Sequence, residues 1–428
     1  MIFLRNLIEI EFKSFHKIPN LINRNIRILL NKIRDSFFNA RFLFLFKNFN
    51  YLMNEFMNKD FDILVVGAGP GGSIAAKVAA ENGYDVCVIE KESLKNNGRY
   101  KACGGAMAWE LIEEINYPED KIGRIIEYLE LHHMDGEIYS KEGKGAVVWR
   151  NIFDKFLNEM AINSGAIIKE SEPLLEIEKK DNRYVIITNK SKYSARYIIA
   201  ADGTTSTTLK KLGWPFFDSK NIILTITKEM KSSKDKIDKV LGKDKVHLFF
   251  GIKELIPVGY AWLFPKKDVI TVGWGNQINL IKNSRKEFAK FENLNFVQNA
   301  LKGSHLEIFK PHLIPVGLRP KLYDDNVFAV GDAGGIVDPI SGKGIPYAMM
   351  SGQIAINTIK WGEDKDKTEK LGKQYERNLD KKFLRILKAK RLARDKIFSN
   401  DENLKKFLSL WEKYRSSEIV AKKLMDID

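Results

Sequence analysis

Residues 62–90, DILVVGAGPGGSIAAKVAAENGYDVCVIE, constrain the fold of this chain more than any other stretch. An apolar, β-branched run predicts a strand buried on both faces of a parallel sheet. A glycine-rich turn follows, and then a helix rich in small residues that ends at Gly83. A second strand ends at Glu90, about 30 residues from the start, as in a βαβ dinucleotide-binding unit. We therefore expect dinucleotide binding here, and the alternative is a glycine turn that only packs.

The glycines of this turn have separate expected roles. Gly67 permits the tight turn, Gly69 lets the backbone approach a pyrophosphate, and Gly72 lets the helix pack closely on the strand. The carboxylate of Glu90 stands at the end of the second strand, where it can accept hydrogen bonds from both hydroxyls of an adenosine ribose.

The charge of the chain is unevenly distributed. The 428 residues suffice for two or three domains and carry a net charge of +15. Residues 1–59 hold ten Lys and Arg against four Asp and Glu, and residues 363–428 hold nineteen against thirteen. Basic charge in two terminal helical segments, without a nucleic-acid module, fits an anionic membrane surface at least as well as nucleic acid. We expect a membrane-surface partner and no nucleic acid.

Cysteine and apolar content bear on location. With only Cys87 and Cys103, the chain has no disulfide framework and no metal-ligand cluster, so no metal is expected. No run reaches about 18 unbroken apolar residues. We expect a cytoplasmic protein, and the basic ends leave open a peripheral position on the inner face of the cell membrane. Residues 1–57 predict amphipathic helices, read as a membrane-surface anchor, a loosely packed appendage or an over-long translation start.

A second glycine-dense segment follows a buried strand predicted at residues 326–330. The strand leads into Asp332, in GDAGG, and then to Gly344 and Ile345 at the start of a helix. Free N–H groups at such a helix start can face phosphate or flavin oxygens. These residues therefore complete a flavin site begun at the first glycine turn. No second GxGxxG follows a strand, so we expect no separate nicotinamide domain.

Alternating strands over residues 216–314 predict an antiparallel sheet inserted into the first domain. One of them, YAWLFP, carries Tyr260, Trp262 and Phe264 at alternate positions and therefore on one face. An aromatic face of this kind is either core or the wall of a cavity for an apolar substrate. A stretch before it, KACGG, places Cys103 beside two glycines, where it is equally a quiet loop residue or part of a reactive centre.

With these pieces placed, the chain resembles the geranylgeranyl reductase family, which shares the p-hydroxybenzoate hydroxylase fold. The family signature is Tyr-x-Trp-x-Phe-Pro, seven or eight residues, then Gly-x-Gly. Here Pro265 is followed by seven residues and then by Gly273-Trp274-Gly275. The KACGG stretch is similar to the family's cysteine-glycine-glycine motif beside the flavin. The likeness runs from about Asp62 to about Lys360.

The resemblance implies an FAD cofactor and a set of residues that hold it. The pyrophosphate and ribose would be bound by Gly67, Gly69, Gly71, Gly72 and Glu90. The flavin and its ribityl chain would meet Lys101, Ala102, Gly104, Asp332, Gly344 and Ile345. The adenosine half would be steadied by Arg150 and the backbone near Leu174. The family reduces isoprenoid double bonds, and its archaeal members act on the geranylgeranyl chains of glycerophospholipids.

The expected fold class is α/β: a Rossmann-type FAD-binding domain with an inserted antiparallel sheet domain (α+β) and a helical C-terminal segment. The expected parts are a basic amphipathic N-terminal extension (1–59), a discontinuous FAD-binding domain (60–215 plus 315–360), a substrate and catalytic sheet domain (216–314) and a helical C-terminal region (361–428).

The expected reaction is hydride transfer from reduced flavin to an isoprenoid lipid. Cys103 and Tyr260 are candidate proton donors, with bound water as the alternative, and Tyr260, Trp262 and Phe264 would contact the substrate. We count Cys103, Tyr260 and Trp262 as the catalytic candidates. Ferredoxin, a deazaflavin and NAD(P)H all remain open as electron donor. The rival interpretations are an FAD-dependent aromatic monooxygenase and a flavin-binding adaptor for membrane or RNA.

Overall fold

The computed structural model describes residues 59–95, 100–251 and 256–414, together with Val420 and Lys423. Apart from Lys59, the predicted N-terminal extension lies outside the described residues. The strands are β1 (Lys59–Val66), β2 (Val86–Ile89), β3 (Ala106–Ala108), β4 (Ile122–His133), β5 (Ile138–Val148), β6 (Ile167–Lys169), β7 (Leu174–Lys180), β8 (Arg183–Thr188), β9 (Lys192–Ala200), β10 (Ile222–Lys231), β11 (Lys245–Phe250), β12 (Gly259–Pro265), β13 (Val269–Gln277), β14 (His305–Pro315), β15 (Tyr323–Asp324) and β16 (Val327–Ala329).

The α-helices lie between and after these strands. They are α1 (Pro70–Glu81), α2 (Trp109–Glu114), α3 (Arg150–Asn163), α4 (Thr207–Lys211), α5 (Lys234–Leu241), α6 (Ser284–Glu292), α7 (Asn295–Leu301), α8 (Ile345–Asp364), α9 (Leu371–Leu379), α10 (Arg385–Ile397) and α11 (Asp401–Lys413). Within the described part of the chain, every helix is too short or too polar to span a bilayer.

The first sheet has the strand order β15-β16-β9-β1-β2-β6, and β8 joins β9 to β7 at its side. Its β1–β2, β2–β6 and β9–β16 pairs are parallel. Four consecutive residues of β1, from Ile63 to Val66, are buried, as the apolar run predicts. Helices α1, α3 and α8 share one buried apolar cluster with residues of β1 and β2.

The helices α1 and α8 cross at glycines. A Cβ added to Gly352 of α8 would lie 2.3 Å from the carbonyl oxygen of Gly71, and one added to Gly71 would lie 3.0 Å from the carbonyl oxygen of Ala348. Because neither position has room for a side chain, the N-terminal turn of α1 is held against α8. The crossing joins the first glycine motif to the helix that follows the second motif.

The second sheet has the order β14-β10-β13-β12-β11-β4-β5-β3. Its pairs are antiparallel except β11 with β4, which run parallel. The predicted strands at 222–228, 247–252, 260–264 and 269–274 correspond to β10, β11, β12 and β13. Sequence reasoning missed β3, β4 and β5, which come from residues 106–148 and extend this sheet.

The α/β fold class is confirmed, with two sheets and a helical C-terminal region. The boundaries proposed between the parts, at residues 215 and 314, remain a prediction. The strands β3–β5 pack in the sheet formed largely by residues 222–315, so the second sheet is assembled from two separate stretches of the chain.

Candidate active site

A backbone hydrogen bond closes the first glycine turn. The Gly67 N–H donates to the carbonyl of Ile89 at 2.8 Å, and Gly67 has φ +102°, a conformation that glycine adopts without strain. A Cβ on Gly72 would lie 1.9 Å from the carbonyl oxygen of Gly67. Gly69 precedes α1 as its N-cap, and no side chain caps that helix. The first-turn N–H groups of α1 are therefore available to an anion.

Glu90 is buried at the end of β2 and is tied to this turn. Its Oε2 accepts a hydrogen bond from the Ala68 N–H at 2.8 Å, and its Oε1 accepts one from the Glu92 N–H at 2.9 Å. A carboxylate oxygen can accept more than one hydrogen bond, so these two contacts are compatible with the predicted role of Glu90 at a ribose. Leu174, at the start of β7, turns its side chain into the buried cluster with Val66 and Ile89. Its predicted contribution through the backbone stays a prediction.

The second glycine motif meets the first through Gly71. A Cβ on Gly71 would lie 2.8 Å from the Val330 side chain, directly before the 3₁₀ turn Gly331–Gly334. Within that turn is Asp332, and a Cβ on Gly344 would lie 3.4 Å from its Oδ1. Gly344 is the N-cap of the 20-residue helix α8 and Ile345 is its first residue. The structure therefore brings Asp332 to the N-terminus of α8.

Asp332 also binds the cysteine-containing loop. Lys101 Nζ lies 3.1 Å from Asp332 Oδ2, and His312 Nε2 lies 4.0 Å from the same oxygen. Burial disfavours the charged carboxylate, but Lys101, His312 and Arg150 outweigh it, so the pKa of Asp332 is below its ordinary value. Asp332 is therefore an ionised acceptor, able to accept hydrogen bonds from hydroxyl groups.

Arg150 begins α3 and is buried beside Cys103. Its guanidinium forms two hydrogen bonds of 2.9 Å with the carboxylate of Asp154, one helical turn later. The Cys103 side chain lies close enough to this guanidinium to act on its charge. Burial disfavours the charge, but Asp154 and Cys103 outweigh it and raise the pKa of Arg150 above its ordinary value. The spacing of four between Arg150 and Asp154 was the sequence signal for this pair, and sequence reasoning missed it.

The loop backbone next to Cys103 lies against the aromatic strand β12. A Cβ on Gly104 would lie 2.4 Å from the ring of Phe264 and 3.4 Å from Nε1 of Trp262. The neighbouring Ala102 is buried. The Nε1–H of Trp262 is itself buried and has no hydrogen-bond partner in the described structure. A buried donor without a partner is rare and indicates a ligand atom or water at that point.

The two halves of the family signature face each other across β12 and β13. Trp262 pairs with Gly273 and Tyr260 pairs with Gly275. A Cβ on Gly273 would lie 1.9 Å from the Trp262 indole, so the ring lies directly over this glycine. The space that the Trp262 ring needs therefore explains Gly273, whereas a Cβ on Gly275 would meet the Thr225 and Ile223 side chains of β10 at 3.1 and 3.2 Å. The ring centroids are 6.0 Å apart for Tyr260 and Trp262, and 6.5 Å for Trp262 and Phe264.

Part of the aromatic face packs as core, and its role as the wall of a substrate cavity stays a prediction. Trp262 belongs to a buried cluster with Ile397 at the end of α10 and with Phe407 and Leu408 of α11. Tyr260 and Phe264 are only half-buried and pack against that cluster. The C-terminal helices therefore cover part of the face, and its edge next to Gly104 is shared with the cysteine loop.

Tyr260 is fixed by the loop that precedes α8. Its hydroxyl donates to the carbonyl oxygen of Ser341 at 2.5 Å. Burial, together with the nearby Cys103 and Asp338, raises the pKa of Tyr260 above its ordinary value. Asp338 accepts hydrogen bonds from the N–H groups of Ile340 and Ser341 and forms a buried ion pair with Lys390 of α10. Sequence reasoning missed this ion pair, which no local spacing signals.

The residues present fit FAD. The glycine turn is a cradle that a Cβ at Gly72 would fill, Asp332 can accept ribityl hydroxyls, and the Trp262 Nε1–H lacks a partner beside Gly104. These features lie on the segments that the first and second glycine motifs and the cysteine loop bring together. The individual contacts of the predicted FAD-binding residues remain predictions.

Comparison with known proteins gives the same result. Residues 60–357 match the FAD binding domain family. A digeranylgeranylglycerophospholipid reductase from Methanococcus vannielii is 32% identical over 346 residues, which cover 77% of this chain and 85% of that protein. The same enzyme from Methanocaldococcus jannaschii is 30% identical, with the same coverage of 77% and 85%. The chain belongs to the digeranylgeranylglycerophospholipid reductase family of FAD-binding proteins. FAD is therefore its cofactor.

Solved structures share the fold of this family member. A geranylgeranyl bacteriochlorophyll reductase-like protein from Thermoplasma acidophilum has a TM-score of 0.76 at 24% identity, covering 86% of this chain and 96% of that one. A p-nitrophenol 4-monooxygenase from Pseudomonas putida has a TM-score of 0.65 at 15% identity, covering 86% and 98%. The fold is thus common to reductases and to monooxygenases, and it does not separate the two activities.

Proposed function

We propose that this protein is an FAD-dependent oxidoreductase that saturates isoprenoid double bonds of a lipid, of the archaeal glycerophospholipid type. The observation that carries the proposal is the aromatic row of β12 against the loop backbone at Gly104, beside Cys103. Relatives named digeranylgeranylglycerophospholipid reductase support the choice of substrate.

Reduced FAD supplies a hydride when it is bound. An isolated trisubstituted alkene accepts hydride poorly because nothing in it takes up negative charge, so protonation comes first and leaves a tertiary cation. The ring faces of Tyr260, Trp262 and Phe264 would each stabilise that cation by about 0.5 to 2 kcal/mol when desolvated. Enzymes lower barriers by much more than this, so positioning of the alkene must supply much of the remainder.

Cys103 is the better of the two candidate proton donors. The Tyr260 hydroxyl is engaged by the Ser341 carbonyl, and burial, Cys103 and Asp338 raise its pKa, so it releases a proton reluctantly. Cys103 lies beside the Gly104 backbone, is partly exposed and is near the Arg150 guanidinium. We propose that Cys103 protonates the alkene while Tyr260 positions the loop that precedes α8.

The electron donor and the membrane belong to the same proposal. Ferredoxin, a deazaflavin or NAD(P)H would reduce the bound FAD. The net charge of +15 would hold the protein at an anionic membrane surface, where its lipid substrate is found.

An anaerobic assay tests the function. The protein is reduced with dithionite and mixed with a geranylgeranylated glycerophospholipid, and mass spectrometry follows the lipid. We expect gains of two hydrogens per double bond and, in deuterated water, one deuterium on the less substituted carbon. Deuterium on the tertiary carbon would overturn the protonation-first order. Oxygen uptake stoichiometric with NAD(P)H oxidation on an aromatic acid, without lipid reduction, would favour the monooxygenase instead.

A further inference from the structure

Tyr100 ties the loop that carries Cys103 to the second sheet. Its hydroxyl donates to Oε1 of Glu229 on β10 at 3.2 Å, and its carbonyl oxygen accepts a hydrogen bond from Lys310 Nζ of β14 at 3.0 Å. Burial and Glu229 raise the pKa of Tyr100 above its ordinary value, so the hydroxyl keeps its proton and is the donor. A hydrogen bond to a charged acceptor is about twice as strong as one between neutral groups. Tyr100 is therefore held through both its side chain and its backbone.

The Glu229 carboxylate is fixed inside the sheet without the help of Tyr100. Lys266, which directly follows β12, places its Nζ 2.9 Å from Oε1 of Glu229, and both side chains are 2% exposed. Thr271 of β13 lies opposite Glu229 in the strand register and donates to its Oε2 at 2.9 Å. Each carboxylate oxygen thus has a partner within the sheet. Because a buried ion pair of this kind adds little net stability to a fold, we look for its role in the charged acceptor that it offers to the loop.

The other end of the cysteine loop is fixed at Gly105. Its carbonyl oxygen accepts a hydrogen bond from the Val148 N–H at 2.9 Å, and its φ of +84° is one that glycine adopts without strain. A Cβ added to Gly105 would lie 2.4 Å from the carbonyl oxygen of Val148. The chain then enters β3, which pairs with β5. Residues 101–104 therefore span two fixed points that are only five positions apart.

The loop backbone between these points has no room to move towards β12. A Cβ added to Gly104 would lie 2.4 Å from the ring of Phe264, so the backbone already touches the aromatic row. A displacement of about 1 Å can cost a reacting group about 100-fold in rate. The placement of Cys103 relative to the aromatic row therefore depends on where Tyr100 is held.

We propose that Tyr100 is a positioning residue, whose hydroxyl, held by Glu229, sets where Cys103 lies relative to the aromatic row of β12. This inference rests on the proposed reductase function, in which Cys103 protonates the alkene. Tyr100 acts through Cys103. Loss of the Tyr100 hydroxyl therefore slows the protonation step and leaves lipid binding at the aromatic row intact.

The test removes only this hydroxyl, in Tyr100→Phe, and Glu229 keeps its two partners within the sheet. Tyr84→Phe is the matched control. Tyr84 is also half-buried, and its hydroxyl donates at 2.6 Å to the carboxylate of Glu363 on α8, which likewise keeps an ion pair of its own. Both variants lose one hydrogen bond from a hydroxyl to a carboxylate, so their melting temperatures should fall alike.

Flavin reoxidation separates the two variants. Dithionite-reduced protein is mixed with the geranylgeranylated lipid, and a single turnover is followed. We expect the reoxidation rate of Tyr100→Phe to fall at least about tenfold. The bound FAD and the lipid concentration at half-maximal rate should stay within about twofold, because the loss lies in the reaction step. Tyr84→Phe should match the wild type in all three measurements.

The variant Cys103→Ala tests whether Tyr100 acts through the cysteine. Residues that act as a unit are not additive, so Tyr100→Phe added to Cys103→Ala should slow reoxidation by less than about twofold beyond Cys103→Ala alone. A further loss of about tenfold would show that Tyr100 acts by another route and would contradict its role in placing Cys103.

Alkylation of the oxidised protein by iodoacetamide gives a readout that needs no lipid. Cys87 is fully buried, so Cys103 is the reactive thiol of the two. At about pH 9.5 an ordinary thiol is mostly ionised, so the rate reports access, and a loosened loop in Tyr100→Phe should raise it at least about threefold. Wild-type rates of reoxidation and alkylation in Tyr100→Phe would overturn this inference alone. A wild-type protein that reduces no isoprenoid lipid would overturn the reductase function and the role of Tyr100 with it.

Discussion

Gly273 shows how one missing side chain sets the position of a functional ring. A Cβ there would meet the Trp262 indole at 1.9 Å, and the indole cannot retreat into the cluster that covers its other side without disturbing α10 and α11. Gly273→Ala should therefore destabilise the protein by about 1–3 kcal/mol, the usual cost of overpacking. Thermal unfolding measures it. Gly143→Ala is the control, because its added Cβ meets nothing within 4 Å. Equal melting temperatures for the two variants would contradict the assigned ring position.

A substitution at Gly72 tests the cofactor site in the same way. Its added Cβ would lie 1.9 Å from the Gly67 carbonyl oxygen, and the backbone of a tight turn cannot yield as a side chain can. Gly72→Ala should open the turn and lower the FAD bound per chain at least tenfold. Absorbance of the purified protein at flavin wavelengths checks this, again beside Gly143→Ala. Full occupancy in Gly72→Ala would place the pyrophosphate elsewhere.

At the residue scale, the sequence predicts what is local. Spacing from the predicted strand ends identifies the residues that follow them within a few positions: the glycines of the first turn, Glu90 and Asp332. The partnership of Glu229 and Lys266 depends on the β10–β13–β12 register, across 37 positions of chain. The sequence carries one indirect signal of this partnership: the polar residues Thr225, Thr227 and Glu229 alternate along β10 and so share one face. In the structure all three are buried.

A buried ion pair joins the helix α10 to the loop before α8. Lys390 Nζ lies 2.5 Å from Oδ2 of Asp338, and the two side chains are 3% and 5% exposed. Removing one partner of such a pair strands the other charge, so Lys390→Met should cost about 3–5 kcal/mol. Asp338→Asn in the same chain should recover part of the loss. Lys388→Met, whose partner Asp380 is on the surface, is the control and should cost less than about 1 kcal/mol. Thermal unfolding of these variants measures the change in stability. If Lys390→Met destabilises the protein no more than Lys388→Met does, the buried ion pair does not anchor α10.

The parallel pair of β4 and β11 carries a pH-sensitive contact. His132 is paired with Phe249 across these strands and lies 2.9 Å from His247. Burial, reinforced by His247, lowers the pKa of His132 to about 4 from its ordinary 6.5. Between about pH 4 and pH 6.5, His132 is protonated in the unfolded chain and neutral in the folded chain. His132 therefore favours folding above pH 6.5, and this stability is lost as the pH falls towards 4, by about 1.4 kcal/mol per unit.

His132→Gln should flatten this pH dependence while keeping a donor for His247. The measurement is the melting temperature at pH 7 and at pH 5. From pH 7 to pH 5 it should fall further in the wild type than in the variant. His305→Gln, on an exposed position of β14, should behave as the wild type does. If the melting temperature of His132→Gln falls as much as that of the wild type, another group causes the pH dependence.

At the element scale, helices and the first sheet were predictable and the second sheet was only partly so. The β1-α1-β2 unit and α3 follow from apolar periodicity and glycine punctuation within 30 residues. The strands β4 and β5 are long and polar on one side, and β5 has mainly exposed residues until Gly145, so apolar content did not reveal them. Their place in the sheet depends on pairing β4 with β11, more than 110 residues away, and such a non-local register has no local signal.

The whole molecule carries a net charge of +15. In the proposed function this charge attracts the protein to an anionic membrane surface. Residues 1–56 contribute nine Lys and Arg against four Asp and Glu, and a variant that begins at Met57 lacks them. Each basic residue near an anionic leaflet is worth about 1 kcal/mol. The truncated protein should therefore bind phosphatidylserine-containing vesicles at least tenfold more weakly than the full chain.

Co-sedimentation with vesicles measures this difference, with neutral phosphatidylcholine vesicles as the control surface. Binding of the full chain should also weaken between about 0.15 and 0.5 M salt, because screening shortens the reach of surface charge. FAD content should be equal in both proteins, since the first glycine motif begins after residue 60 and closes on itself through Gly67 and Ile89. Equal vesicle binding by the two would assign the membrane contact to the rest of the chain. Loss of FAD on truncation would show instead that the first 56 residues belong to the cofactor fold.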